Sequence, residues 1–250
     1  MCWEFTMDIK IRHLSVWYAH CDELSIEQAV NSDETELNWP KLAFVPAMQR
    51  RRLSPFAKMA LKVANDSIID VVQDLPIVFS SRHGDLPKTS TLLADLADKN
   101  AISPTAFGLS VHNAIPSLFS ILTNNKQAIN AISAGQDSFM MALVDAYARL
   151  KSGLADEILF IHADQKLPET YLGFQDEQQL SHAISMVISL PDQEQKTTNE
   201  QSIRFSFKQF SNAVIDNMPL SLLFSQWYCS TQQQIVLASK NYQWTLEKNA

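Results

Sequence analysis

Residues 127–161 constrain the fold more than any other part of this chain. Gln127–Ile132 reads as the end of a short strand, and Ser133-Ala134-Gly135 as a small turn. A long apolar helix follows from about Gln136 to Lys151 and ends at Gly153, a residue suited to closing a helix in the left-handed conformation. Ile158–Ile161 is then a buried strand. Strand, helix and strand with short links form a βαβ unit, which implies a parallel sheet and a right-handed crossover. Phe139, Met140, Met141, Leu143, Val144, Ala146, Tyr147, Ala148 and Leu150 leave the helix almost without a polar face, so burial between layers or against a partner is expected. The turn before it has the layout of an elbow that presents a nucleophile to the N–H groups of a helix start. The residue in that position is Ile132, which has no group that can attack.

Composition narrows the function classes. The 250 residues carry a formal net charge of −7, against a nucleic-acid partner. No run reaches the about 18 apolar residues that cross a bilayer. Glu4 and Asp8 interrupt the N-terminus, so a secretory signal is not expected. Cys2, Cys21 and Cys229 have no metal-like spacing and fit a reduced, cytoplasmic protein. With five glycines and no glycine-rich phosphate loop, no cofactor is expected, and no metal site either.

The rest of the chain reads as alternating strands and helices within one domain, residues 1–250. Asp8–Ala19, Pro76–Ser80, Ile203–Phe207, and Gln234–Ser239 with Tyr242–Leu246 are strand signals. A helix starts at Ser54-Pro55, another covers Thr89–Ala97, another lies within Ala106–Leu122, and a short one covers Pro219–Tyr228. Ser32–Glu36 reads as a solvated acidic loop and Pro191–Ser202 as a polar loop. Gln49-Arg50-Arg51-Arg52 is a basic cluster, either a solvated segment ahead of a helix or a contact for an acidic partner or a phosphate.

Three segments together resemble the N-terminal half of a β-ketoacyl synthase of the thiolase-like superfamily. They are Ser80-Ser81-Arg82-His83-Gly84-Asp85, Phe107-Gly108-Leu109-Ser110-Val111-His112-Asn113-Ala114, and Ala131–Gly135 running on to Lys151-Ser152-Gly153-Leu154-Ala155-Asp156. The last is similar to the stretch around the catalytic cysteine, and that cysteine aligns with Ile132. The resemblance implies an α/β fold: a truncated thiolase-like fold with a layered mixed sheet and a buried helix. It also implies that the second half-domain, which supplies the family's other catalytic residues, is missing from this sequence. A degenerate ketosynthase of this kind resembles a chain-length factor, the non-catalytic subunit that pairs with an active ketosynthase and shapes its acyl tunnel, here in an aryl polyene pathway. The implied partners are a full-length ketosynthase and, through it, an acyl carrier protein. Phe107, His112, Asn113, Ile132, Ser133, Gln136, Phe139 and Met140 are the tunnel or interface candidates, and no residue is assigned catalysis.

Each candidate also has a plainer role. Ser133 is either the helix N-cap or the nucleophile of a small acyltransferase or hydrolase. His112 and Asn113 are expected to support the elbow, and Arg82–Asp85 to form a salt-bridged turn with Gly84 at positive φ. Phe139, Met140 and Met141 fit a core as readily as a tunnel wall. A third possibility is a scaffold that binds an acidic carrier protein through Arg50–Arg52. A near-uniformly apolar helix further predicts poor solubility without a partner.

Overall fold

The computed structural model describes residues 6–30, 32–34, 37–71, 74–191, 201–209 and 215–249. In chain order the elements are β1 (Thr6–Tyr18), α1 (Ile26–Ala29), α2 (Ala47–Arg50), α3 (Pro55–Ser67), β2 (Ile77–Ser80), α4 (Leu86–Ala97), α5 (Pro104–Gly108), α6 (Ala114–Thr123), β3 (Ile129–Ile132), α7 (Ser138–Lys151), β4 (Glu157–Asp164), β5 (His182–Ser189), β6 (Gln201–Gln209), α8 (Leu220–Cys229), β7 (Gln234–Ala238) and β8 (Tyr242–Lys248). The eight strands form one mixed sheet in the order β3-β2-β4-β5-β1-β6-β8-β7. β3, β2 and β4 run parallel, and every other pairing is antiparallel. The β3–α7–β4 unit predicted from the sequence is present, with β2 inserted between its two strands.

Strand periodicity sorts the core into two layers. On β4, Ile158 and Phe160 face α7 and α8, whereas Leu159, Ile161 and Ala163 face α3 and α6. On β5, Ile184, Met186 and Ile188 join the first layer, and Ala183 and Val187 the second. Both faces of the central strands are therefore covered, which is why they carry near-continuous apolar runs.

Several boundaries differ from the sequence reading. β5 carries no clean strand signal in the sequence, yet it sits mid-sheet between β4 and β1. The helix expected within Ala106–Leu122 is two, α5 and α6, separated by Leu109–Asn113. Gln201 and Ser202 belong to β6 rather than to the preceding loop, whose residues 192–200 lie outside the described set. In the acidic stretch, Glu34 is not merely solvated: its carboxylate accepts hydrogen bonds from Ser181 N (2.9 Å) and Ser181 Oγ (2.6 Å), while Thr35 and Glu36 lie outside the described residues. Arg50 closes the one-turn helix α2 and donates to Leu42 O at 3.0 Å. α7 is not buried all round. Phe139, Met140, Ala142, Leu143, Ala146 and Leu150 face the core, but Met141, Val144 and Tyr147 are half-buried and Ala148 is exposed. That flank adjoins β3, which ends the sheet and among the described residues pairs on one side only.

Candidate functional site

The elbow is built by β3, a tight turn and α7. Gly135 takes φ +62°, the left-handed region open to glycine, and Gly135–Asp137 form a single 3-10 turn before α7. Ser133 is not the helix cap expected from the sequence. Its hydroxyl donates to Arg82 O at 3.0 Å, while Ser138 Oγ receives Ala134 N–H (2.9 Å) and donates to Gly135 O (2.7 Å). The bond from Ser133 ends on a carbonyl, which cannot act as a general base, so a nucleophilic role for Ser133 gains nothing from this geometry. Ile132 is half-buried and packs with Met141 against the layer beneath α7.

Asp137, which the sequence reading did not single out, anchors this helix start. It is buried and accepts hydrogen bonds from Ser239 Oγ and Trp244 Nε1, both at 2.8 Å. Gln136 Oε1 accepts from Lys240 N at 3.1 Å. The elbow is thus tied to the β7–β8 hairpin through partners more than a hundred positions away. Burial pushes the Asp137 carboxyl up, partly offset by those two donors.

Of the remaining candidates, only Gln136 and Phe139 meet, in the lining of a narrow cleft of about 10 Å³ that they share with Arg82, His162 and Glu177. Phe139 (1 % exposed) and Met140 (0 %) are core residues. Phe139 packs at 5.4 Å from Phe160, 5.4 Å from His162 and 5.0 Å from Phe224. His112 Nε2 donates to Ser81 O at 2.9 Å and its ring lies edge-on to Phe79 at 5.6 Å, so these contacts brace β2 and the turn after it rather than the elbow. Asn113 is exposed and makes no side-chain cap, and Phe107 is 59 % exposed on α5.

The Arg82–Asp85 segment is the salt-bridged turn that was expected. Arg82 reaches Asp176 at 2.7 Å and Glu177 at 2.9 Å, and Gly84 has φ +62° with its N–H on Ser81 Oγ at 2.8 Å. A Cβ at Gly84 would meet His112 Cδ2 at 3.6 Å, ordinary contact, so the cost of a side chain there is conformational. Gly84→Ala should therefore lower stability by about 1–2 kcal/mol, read by urea unfolding; an unchanged midpoint would show that the turn relaxes freely.

Beneath the elbow lies a polar cluster that the motifs did not reveal. Ser80 Oγ is 2.8 Å from His162 Nδ1, and His162 Nε2 is 3.3 Å from Asp164 Oδ2. Asp164 Oδ1 accepts from Ser81 Oγ (2.9 Å), Arg82 N (2.9 Å) and His83 N (3.3 Å). Hydroxyl, imidazole and carboxylate follow the order of a catalytic triad, but Ser80 is fully buried within β2 and offers no approach to a substrate. Despite the burial of the Asp164 carboxyl, His162 above all, then His182 and the Ser81 hydroxyl, hold it well below the usual range. His182 Nδ1 donates to Leu180 O (2.7 Å) and Nε2 accepts from Ser221 Oγ (2.6 Å), so its neutral form is fully satisfied. Burial, with His162 at 5.6 Å, brings its pKa down to about 4. Glu177 is pushed up to about 7 by burial and by Asp164 and Asp176, because the Arg82 guanidinium is shared and only partly compensates. Some of this was open to sequence reasoning: His162 and Asp164 are two apart on a strand and so share a face.

Among the described residues there is no group of three or more His, Cys, Asp or Glu side chains that could hold a metal ion, and no helix long and apolar enough to cross a membrane.

Residues 24–247 match the family described as beta-ketoacyl synthase, N-terminal domain. No curated protein matches the chain. Among solved structures, a chain from the complex of a ketosynthase with its chain length factor from Xenorhabdus doucetiae superposes with a TM-score of 0.79 at 24% identity, covering 96% of this chain and 99% of that one. A chain from a type II polyketide synthase acyl-carrier protein in complex with its ketosynthase gives 0.69 at 10% identity over 98% of this chain and 100% of that one. A beta-ketoacyl synthase from Burkholderia phymatum gives 0.59 at 13% identity, covering 83% of this chain and 65% of that one.

Proposed function

Given that the chain belongs to the β-ketoacyl synthase N-terminal domain family and carries the thiolase-like fold of that half, we propose that it is a non-catalytic, chain-length-factor-like subunit that pairs with an active β-ketoacyl synthase. The observation that carries the proposal is Ile132. The elbow keeps the strand, the positive-φ glycine and the helix start, but the side chain at its centre can neither attack nor be titrated. The polar groups nearby are engaged in structural bonds: Ser133 on a carbonyl, His112 on Ser81 O, and His162 between Ser80 and Asp164.

Pairing is supported by the edge of the sheet. β3 has an outer side without a strand neighbour among the described residues, and the half-buried Met141, Val144 and Tyr147 stand beside it. Asn130 Nδ2 donates to Asp145 Oδ2 at 3.0 Å and joins strand to helix as one surface. An edge of this kind favours strand addition. The similar Xenorhabdus chain, matched over nearly its whole length, comes from a ketosynthase–chain length factor complex, which favours a ketosynthase as the occupant. In this reading the partner supplies the nucleophile and holds the acyl carrier protein, this chain completes the wall of the acyl tunnel in an aryl polyene-type pathway, and the pair works in the cytoplasm without a cofactor.

Co-expression with a full-length ketosynthase from the same source, with only this chain tagged, tests the proposal. A 1:1 complex by light scattering after size exclusion is expected, with carbon–carbon bond formation from acyl and malonyl carriers only in the complex. Condensation by this chain alone, or its elution without the ketosynthase, would refute it.

A further inference from the structure

The basic cluster Arg50–Arg52 plays no part in the pairing proposed above, and the fold gives it a setting the sequence did not show. Arg52 lines a cleft of about 420 Å³ with Lys88, Ser103, Thr105, Ala106 and Leu109. The lining comes from three separated segments: the turn after α2, the first turn of α4, and α5. No carboxylate is part of it. Asp85, three residues before Lys88, is buried under α4 and accepts Lys88 N–H rather than the ammonium. Neither Arg52 nor Lys88 forms a salt bridge among the described residues, whereas Arg12, Arg82, Arg149 and Arg204 all do. Ser103 Oγ already accepts Ala106 N–H at 3.4 Å, which leaves its proton free to donate outward.

We propose that this cleft is a binding site for a small phosphate-bearing molecule, a phosphate ester or diphosphate. A guanidinium fork and an ammonium supply directed and point-charge contacts to phosphate oxygens, and the two hydroxyls supply neutral donors. Ala106 and Leu109 are also part of the lining, so an apolar portion of the ligand has surface to cover. In a chain of net charge −7, two cations on one lining that contains no carboxylate make a locally positive site. Three separate segments converge on one lining, which suits a compact ligand that bridges them.

Pyrophosphate is the probe, titrated into the purified full-length chain by isothermal calorimetry at low ionic strength, with sulfate as the comparison anion. Saturable one-site binding is expected, weakened about tenfold or more by the double substitution Arg52→Gln with Lys88→Gln and changed less than about twofold by Arg51→Gln, which lies outside the cleft lining. Circular dichroism checks that each variant is folded, and Thr105→Val, a milder change, should weaken binding to a smaller degree. Equal binding of sulfate and pyrophosphate, equal losses from Arg51→Gln and the double variant, or no saturable binding by the wild-type chain would each overturn the site.

Discussion

Phe139→Ala should lower stability by about 3–5 kcal/mol, the range for deleting a fully buried aromatic ring. Phe139 is 1 % exposed and its ring touches Phe160 on β4, His162 on the same strand, and Phe224 on α8. Two elements, β4 and α8, lose a shared neighbour at once, and the cavity opens where α7 meets the sheet, so little collapse can fill it. For a chain of this length the loss corresponds to about 10 °C or more in the unfolding midpoint. Phe139→Leu keeps most of the volume and should cost about 1.5 kcal/mol or less. Calorimetry of the two variants decides the point: a small loss for alanine would mean that Phe139 borders open space, as a tunnel wall would. Any change in product length on mutating Phe139 must therefore be measured with the leucine variant, where the fold persists.

The elbow was legible because its signals are local. An apolar run, small residues, one glycine and a long apolar helix fall within about 25 residues, and each obeys a short-range rule. The bonds that hold the elbow in place were not legible. Asp137 meets Ser239 and Trp244 only because the sheet order brings β8 near α7, and nothing in the local sequence marks the pairing. β5 escaped for a different reason. His182, Ser185 and Ser189 interrupt its apolar residues, and polar residues in a strand read as a wet face. Here His182 and Ser185 are buried and hydrogen-bonded, Ser185 Oγ donating to Phe160 O at 2.9 Å, so a central strand imitates an irregular one. α7 misled in the opposite direction. Met141, Val144 and Tyr147 suggested burial on all sides, but this chain covers only part of that flank.

The polar cluster makes a second large effect: Glu177→Gln should tilt the dependence of stability on pH. Glu177 titrates near 7 in the fold and near its ordinary 4.5 when unfolded. Its protonated form is the one the fold favours, so its contribution is complete below about 4.5 and is lost as pH rises through about 7. His182 behaves oppositely over almost the same window. Its folded pKa of about 4 lies below the ordinary 6.5, so its contribution is present above about 6.5 and is lost as pH falls through about 4. Between these limits the two slopes oppose, and the wild-type chain should show a shallow profile. With Glu177→Gln only the histidine slope remains, and stability should rise from pH 4.5 to 6.5 on the order of 2–3 kcal/mol more than in the wild type, at 1.36 kcal/mol per unit. His182→Gln should do the reverse, leaving a protein that loses stability as pH rises over the same range. Below this window Asp164 adds a further loss, since its depressed pKa stabilises the fold only while the carboxylate is ionised. Urea unfolding at several pH values reads all three curves. Parallel profiles for wild type and Glu177→Gln would mean that Glu177 is ionised throughout, with Arg82 as its full counter-ion rather than one shared with Asp176.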